Sequence, residues 1–280
     1  MSSSATSKLN RKDASSSKKS QENIASKEPG TKERPCCEDT DKGIENPYHP
    51  RPSQAVGFEH PNGTPGYAEK HKGYSVMQQH VLYWDRDEDG QIWPIDTWAG
   101  FRGLGFNLLF CLWATIVVHL SLSLPTRIAY SYIPDPFFRI YVPTIRKDKH
   151  GSDSGVYDTE GHYISARFED MWAKFTSDGS AGSSSPRKTM SLSELFRCVR
   201  ANRLAMDPFG WIASILEWGT TWLLVQKDGC IEKKDVYKMY DGSLFYEIRD
   251  KRNTKEGWNK GWGIGGDGFL GGDKVLPFSL

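Results

Sequence analysis

The chain has 280 residues, with 36 Lys plus Arg against 35 Asp plus Glu and a formal net charge of +1. That balance gives no electrostatic case for a nucleic-acid partner, and the length allows one or two domains. Five cysteines (Cys36, Cys37, Cys111, Cys198, Cys230) are odd in number and scattered, which argues against a disulfide framework and for a reducing compartment.

Residues 1–45 are rich in Ser, Lys and Glu, have no aromatic residue and lack the apolar core of a secretory signal. Such a segment cannot bury enough surface to offset its ordering entropy, so a disordered polar tail is expected. Within it Cys36–Cys37 reads as a bare pair in preference to a palmitoylation site. Residues 46–73 carry Pro, Gly, His49, His60 and His71 without compact metal-ligand spacing. They read as an extended arm with surface histidines.

Residues 74–102 have the pattern of an EF-hand. Asp85, Asp87 and Asp89 alternate, Gly90 follows, and Gln91 and Asp96 fall at loop positions 7 and 12. A hard cation such as Ca²⁺ takes six to eight oxygens, and alternating carboxylates on a tight turn supply them. Asp96 is shorter than the usual Glu and Trp93 brings no oxygen to position 9, so a weaker site with more tolerance of Mg²⁺ is expected. In the entering helix Met77, His80, Val81 and Trp84 lie on the inward face. His80 thus replaces an apolar residue there. A core histidine bonded to a backbone carbonyl and a cofactor ligand are both open, and spacing alone favours the first.

Residues 103–143 form a second distinct stretch. Gly103 to Thr126 contains no Asp, Glu, Lys or Arg, and its apolar heart, Leu108–Leu124, is at the short end of the roughly 17–25 residues that span a bilayer. Pro125, Pro134, Pro136 and Pro143 follow among aromatic residues and are expected to end the helix and turn the chain back. An apolar helix plus a proline turn suits a hairpin dipping into a lipid surface better than a through-going span.

In residues 144–250, His150 lies in a polar loop where a surface position is the ordinary reading, and Asp158–Ile164 resembles a degraded calcium loop. Residues 168–175 read as helical, and 177–189 as a flexible insert. Ser191 or Ser193 ahead of Glu194 marks a helix start. In FGWIASILEWGTTWLLV, residues Trp211, Ile215, Trp218 and Trp222 share a face on which Glu217 is the helix's single charge. That face reads first as core, with a cofactor or acyl pocket wall or a membrane contact as alternatives. QKDGCIEKKDV is a further EF-like remnant whose first ligand position is Leu224, so a paired, metal-free partner hand is expected. Residues 251–280 are a Gly/Trp-rich tail of irregular or disordered character. The fold class is therefore mainly α: an EF-hand with a degenerate partner, an apolar helix with a proline-turn membrane hairpin, and disordered tails.

The strings QQHVLYWDRDEDG, IPDPFF, KHGSDSGVYDTEG, FGWIASILEWG and DGSLF, in this order from about Met77 to Ile248, resemble the caleosin family of lipid-droplet proteins. The long N-terminal and glycine-rich C-terminal tails fit a fungal-type member. The resemblance implies one calcium-binding EF-hand, a proline-knot anchor and haem b as a second cofactor. It also implies a peroxygenase that moves oxygen from a fatty-acid hydroperoxide to an unsaturated fatty acid. It transfers the family's two haem-associated histidines onto His80 and His150, and Asp153 then stands as a candidate to orient the ring of His150. A phospholipid monolayer or bilayer of lipid droplets and endoplasmic reticulum is the implied location, with a homo-oligomer left open. Asp135 between Pro134 and Pro136, and Arg139 at a position often proline, depart from the family pattern and suggest a looser, more polar turn. A non-enzymatic, calcium-regulated coat protein is the alternative. A soluble calcium sensor is disfavoured by the uncharged stretch and the single intact loop.

Overall fold

The computed structural model describes residues 53–57, 59–176 and 188–252, all within the compact unit Asp39–Leu280. Among these residues the chain is mainly helical. Its first half contains α1 (Tyr67–Lys70), α2 (Val76–Val81), β1 (Gln91–Ile92), α3 (Pro94–Leu104), α4 (Leu108–Arg127), β2 (Ile140–Tyr141) and a 3-10 helix (Val142–Asp148). The second half adds α5 (Ser165–Thr176), β3 (Thr189–Ser191), α6 (Leu192–Ala201), α7 (Pro208–Val225), β4 (Cys230–Glu232), α8 (Lys233–Asp241) and α9 (Ser243–Arg252). Cys36, Cys37, His49 and most of the two tails and the Ser/Gly-rich insert lie outside the described residues.

Local chemistry sets the helix starts. Ser75 caps α2 by accepting from Gln78 N–H while Gln78 Oε1 accepts from Ser75 N–H at 2.8 Å. Asn107 Oδ1 accepts from Phe110 N–H at 2.8 Å at the start of α4. Ser191, not Ser193, caps α6, with Ser191 N–H donating to Glu194 at 2.8 Å. Asp207 caps α7 ahead of Pro208, whose missing N–H costs nothing in the first helical turn.

Two small sheets organise these helices. β1 pairs antiparallel with β2 (Gln91 opposite Tyr141), and β3 with β4 (Thr189 opposite Glu232). The acidic loop at Asp85 is thus bridged to the strand that returns from the apolar helix. The remnant at Leu224–Asp235 is not the partner of the acidic loop: its strand Cys230–Glu232 pairs with Thr189–Ser191 instead. Both choices follow from burial: Ile92 and Ile140 meet over a core of Leu82, Val142 and Ile145, while Met190 and Ile231 are fully buried in the larger core. Asp158–Ile164 is a tight hairpin in which Tyr157 faces Tyr163. Asp158 Oδ1 is spent on the N–H groups of Glu160 and His162, both at 2.8 Å.

Three sequence expectations change. Pro125 does not end α4, which runs on to Arg127. Thr126 holds that last turn: its hydroxyl donates to Leu122 O at 2.7 Å and accepts from Tyr141 N–H at 3.2 Å, and its carbonyl accepts from Thr144 Oγ1 at 2.6 Å. These tertiary bonds offset the carbonyl partner that proline removes. Within residues 53–73, His71 is buried rather than on the surface. Gln79 explains this, because its amide donates to the carbonyls of Ser53, His71 and Tyr74 and clasps that segment to α2.

The third concerns the proline turn, which is not loose. Asp135 is 2% exposed and accepts from Phe137 N–H, Arg139 N–H, Tyr141 O–H and the Arg139 guanidinium, the last at 2.7 Å. The two departures from the proline pattern thus compensate each other. Burial works to raise the Asp135 carboxyl, but the bonds from Arg139, Phe137 and Tyr141 override it and hold its pKa at about 2. A folded-state value below the ordinary 3.8 means stability present above pH 4 and lost as pH falls through 2. Asp135→Asn is accordingly expected to cost about 2 kcal/mol at neutral pH, the deficit shrinking below pH 4. Urea unfolding across that range measures it.

The outer face of α4 remains uncovered. Leu109, Leu112, Ile116, Leu120 and Leu124 are 46–63% exposed and continue into Tyr132, Ile133, Phe137 and Phe138 of the turn. Among the described residues α4 is the helix long and apolar enough to cross a membrane by length and composition. Its inner face is polar where it meets the rest of the chain. His119 Nδ1–H donates to Phe138 O at 2.6 Å, and Thr97 O–H donates to His119 Nε2 at 2.8 Å.

Candidate functional site

A cavity of about 340 Å³ lies between α2, α3, α4, the 3-10 helix and α7, closed behind by α8 and α9. Its wall is largely apolar and aromatic, including Trp84, Phe101, Trp113, Trp218 and Phe245. His80 and His150, far apart in sequence, both border it.

His80 projects from α2. Its Nδ1 lies 2.6 Å from Met239 O. A carbonyl can only accept, so Nδ1 carries the proton and Nε2 keeps its lone pair. Burial pushes the imidazole pKa down, against the pull of that carbonyl and of Glu217, which keeps the ring neutral. Phe245 meets the ring edge-on at 5.2 Å.

His150 sits in the loop after the 3-10 helix, and its surface reading does not hold: the side chain is 6% exposed. The loop is pinned to the start of α7. Ser152 N–H and O–H both donate to Asp207 at 2.7 Å, and Ser214 O–H donates to Ser152 O at 2.9 Å. Two carboxylates flank the ring: Glu217 is 3.5 Å from Nε2 and Asp207 is 3.9 Å from Nδ1. Desolvation works to lower the His150 pKa, but the Glu217 hydrogen bond and charge prevail and raise it. Asp153 does not orient the ring. Its oxygens go to the Lys149 ammonium and to Gly155 N–H. Asp148, also on the cavity wall, is pushed up to about 7 by burial and by the charge of Glu217. Sequence reasoning noted Glu217 as the single charge of its helix without giving it a role, and it passed over Asp148. An acidic residue in an otherwise apolar helix was the available signal for Glu217; Asp148 had none.

Trp84 Nε1, Asp148 Oδ1 and His150 Nδ1 are buried without a hydrogen-bond partner. Unsatisfied polar atoms beside an apolar cavity are costly unless a ligand meets them. A neutral histidine with a free lone pair, aromatic walls and stranded polar atoms fit a flat, largely apolar group with a metal at its centre.

The acidic loop presents a second site. The carboxylate oxygens of Asp85, Asp87 and Asp89 lie within 4.8 Å of one another. Asp85 is 4% exposed, and its Oδ1 has no partner while Oδ2 accepts from Gly90 N–H at 3.0 Å. Burial, together with the charges of Asp89 and Asp87, raises its pKa, as three crowded carboxylates require when no cation offsets them. Gly90 has φ +81°, the left-handed turn that glycine adopts without strain. Asp96 lies outside this group, with Oδ2 accepting from Trp93 N–H at 3.1 Å as part of the start of α3. Gln91 belongs to β1, and its side chain bonds Asp89 and the Arg139 guanidinium, the latter at 3.0 Å.

A family model described as "Caleosin related protein" matches residues 72–249. The chain belongs to the caleosin family. It is 32% identical over 233 residues to a protein named "Peroxygenase" from Lilium longiflorum, covering 83% of this chain and 93% of that one. It is 34% identical over 182 residues to "Probable peroxygenase 4" of Arabidopsis thaliana (65% and 89% covered). A third relative, "Probable inactive peroxygenase-like protein" of Arabidopsis thaliana, is 26% identical over 163 residues, covering 58% of this chain and 73% of that one. No solved structure matches.

The caleosin strings acquire physical reasons here. In DGSLF, a Cβ on Gly242 would lie 2.5 Å from Gln79 O and 2.9 Å from His80 Cα. In FGWIASILEWG, one on Gly210 would lie 2.7 Å from His150 Nδ1. Each histidine is backed by a glycine from a distant segment of this caleosin.

Proposed function

We propose that this protein is a calcium-binding, haem-dependent peroxygenase acting at the surface of lipid droplets and endoplasmic reticulum. The observation that carries the reading is the meeting of His80 and His150 on one apolar cavity. The relatives named as peroxygenases support the same class of chemistry.

His80 is the residue suited to hold haem b, because its Nδ1–H is committed to Met239 and its Nε2 lone pair is free for iron. When bound, haem would supply the iron at which a fatty-acid hydroperoxide gives one oxygen to an unsaturated acyl chain, leaving an alcohol and an epoxide. His150 is suited to proton movement: paired with Glu217, it can hold a proton beside the breaking O–O bond and return it. Met77, Val81, Trp84, Phe101 and Phe245 keep water from the reacting atoms. Calcium at Asp85, Asp87 and Asp89, with Gln91 and Asp96 as the remaining loop ligands, would fix the end of the segment carrying His80.

The apolar face of α4 and its turn supports a lipid surface as the place of action. The word inactive in one relative's name supports a second reading without catalysis, in which the exposed apolar face would serve a droplet coat. An absorption spectrum of the purified chain with and without Ca²⁺, followed by hydroperoxide-dependent epoxidation, separates the two. A Soret band with product formation is expected. Neither, in any preparation supplied with haem, would remove the peroxygenase reading. Asp85→Asn is expected to weaken Ca²⁺ binding, read by calcium titration, by about tenfold, and to lower haem content in the same spectrum. Unchanged haem content and activity in a variant that no longer binds Ca²⁺ would remove the coupling to His80.

A further inference from the structure

We infer that the corner between α6 and α7, residues 196–212, is a second lipid-docking surface, separate from the apolar face of α4, and that its arginines read anionic head groups. It stands independently of the chemistry assigned to the cavity.

Contiguous exposed apolar side chains mark an interaction surface. At this corner Leu204, Phe209 and Ile212 are 48–62% exposed and Met206 is 94% exposed, with Phe196 of α6 beside them at 60%. The exposure belongs to an ordered turn. Leu204 N–H donates to Ser152 Oγ at 3.1 Å, and Leu204 O accepts from Trp211 Nε1–H at 2.6 Å. Both polar groups of that backbone unit are thus satisfied inside the protein while the apolar side chains around it stay outside. Phe209 and Ile212 continue the patch one turn apart on α7.

The charges select the occupant. Between Leu195 and Leu216 stand Arg197, Arg200 and Arg203, all exposed, against the single carboxylate of Asp207. Asp207 is already occupied by the N–H groups of Ser152 and Gly210. Arg197 lies 3.7 Å from Glu194, but among the described residues neither Arg200 nor Arg203 has an acidic partner. The Arg203 guanidinium instead lies 5.9 Å from the centre of the Trp211 ring. Guanidinium forks match phosphate oxygens, and apolar tips beside them match the acyl layer beneath. A basic rim on an apolar corner therefore fits an anionic phospholipid layer. Phe209 also borders the cavity, and Ser152, which accepts from Leu204, lies two residues after His150. Docking of the corner would hold the His150 loop in place from outside.

Amide hydrogen exchange of the full chain on vesicles reads this contact without turnover. One set of vesicles is phosphatidylcholine alone, and the other contains about one-third phosphatidylserine. Exchange in residues 202–207 is expected to be about tenfold slower on the anionic vesicles than on the neutral ones, the scale of one to two arginines at a charged surface. Arg200→Gln combined with Arg203→Gln is expected to erase that difference. Met206→Asp, at a position too exposed to disturb the fold, is expected to abolish the slowing on both vesicles and leave exchange in lipid-free protein unchanged. Equal slowing on the two vesicles, a difference that survives the double arginine variant, or slowing that survives Met206→Asp would each overturn the inference. So would slowing that grows with protein concentration in the absence of lipid, which would assign the corner to a second copy of this chain. Exchange in residues 128–139 reports the α4 turn separately. A chain that protects the corner and not that turn would keep this surface and lose the α4 contact.

Discussion

Replacing His80 by alanine is expected to abolish the Soret band, while His150→Ala keeps most of the band and loses oxygen transfer. The asymmetry follows from what each ring already does. His80 gives its Nδ1 proton to Met239 O at 2.6 Å, which fixes the tautomer and aligns Nε2 as a lone-pair donor. The carbonyl partner would increase the basicity of the ring toward a bound iron. Ligation also suits a neutral, desolvated imidazole, and burial holds His80 in that state. His150 has the opposite surroundings, with carboxylates near both nitrogens. A ring held toward its protonated form is a poor iron ligand and a good proton donor. Loss of a positioned acid–base group costs about 10²–10⁴ in rate. The measurement is haem content from the spectrum beside single-turnover rates for both variants. A band lost in His150→Ala and kept in His80→Ala would reverse the assignment.

Gly242→Ala is expected to be the most damaging single methyl addition near the cavity, at about 2–4 kcal/mol of folding stability. Part of the cost is local, because Gly242 ends α8 at φ +83°, where an L side chain loses about 1–2 kcal/mol. The rest is steric. The new carbon would press on Gln79 O at 2.5 Å and His80 Cα at 2.9 Å, and both are backbone atoms that cannot rotate away. Relief requires α8 to move from α2, and Met239 O, the acceptor of His80, lies on α8. Haem content should therefore fall along with stability. Urea unfolding and the spectrum test this together; a loss under 1 kcal/mol with full haem content would show that the two helices separate easily.

Much of this was legible in local sequence, and the limits are instructive. The alternation of Asp85, Asp87 and Asp89 before Gly90 marks a loop because cation chemistry is written within a dozen residues. The apolar stretch before Pro125 marks α4 for the same reason. The union of His80 and His150 was invisible to spacing, since it depends on how α7 folds back, and the family resemblance alone linked the two. The strand partner of the acidic loop was misjudged because two EF-like remnants were in view, while the true partner, Ile140–Tyr141, has no EF signature. Asp135 and Arg139 read as flaws in a proline pattern because each was judged singly. Their meaning lies in a contact across one turn.

The pairing of β1 with β2 joins two equilibria. Gln91 closes the acidic loop on one side and on the other bonds Arg139, which holds the turn bearing Phe137 and Phe138. Under the proposed function, a cation that stiffens this strand and a lipid layer that receives this turn would act on the same few residues. Thermodynamic reciprocity then binds them: whatever factor calcium contributes to lipid affinity, lipid must return to calcium affinity. On the proposed reading, the calcium affinity of this loop would be set in part by the lipid layer that the turn meets. A threshold measured in detergent-free buffer would differ from the threshold on a droplet by that one shared factor.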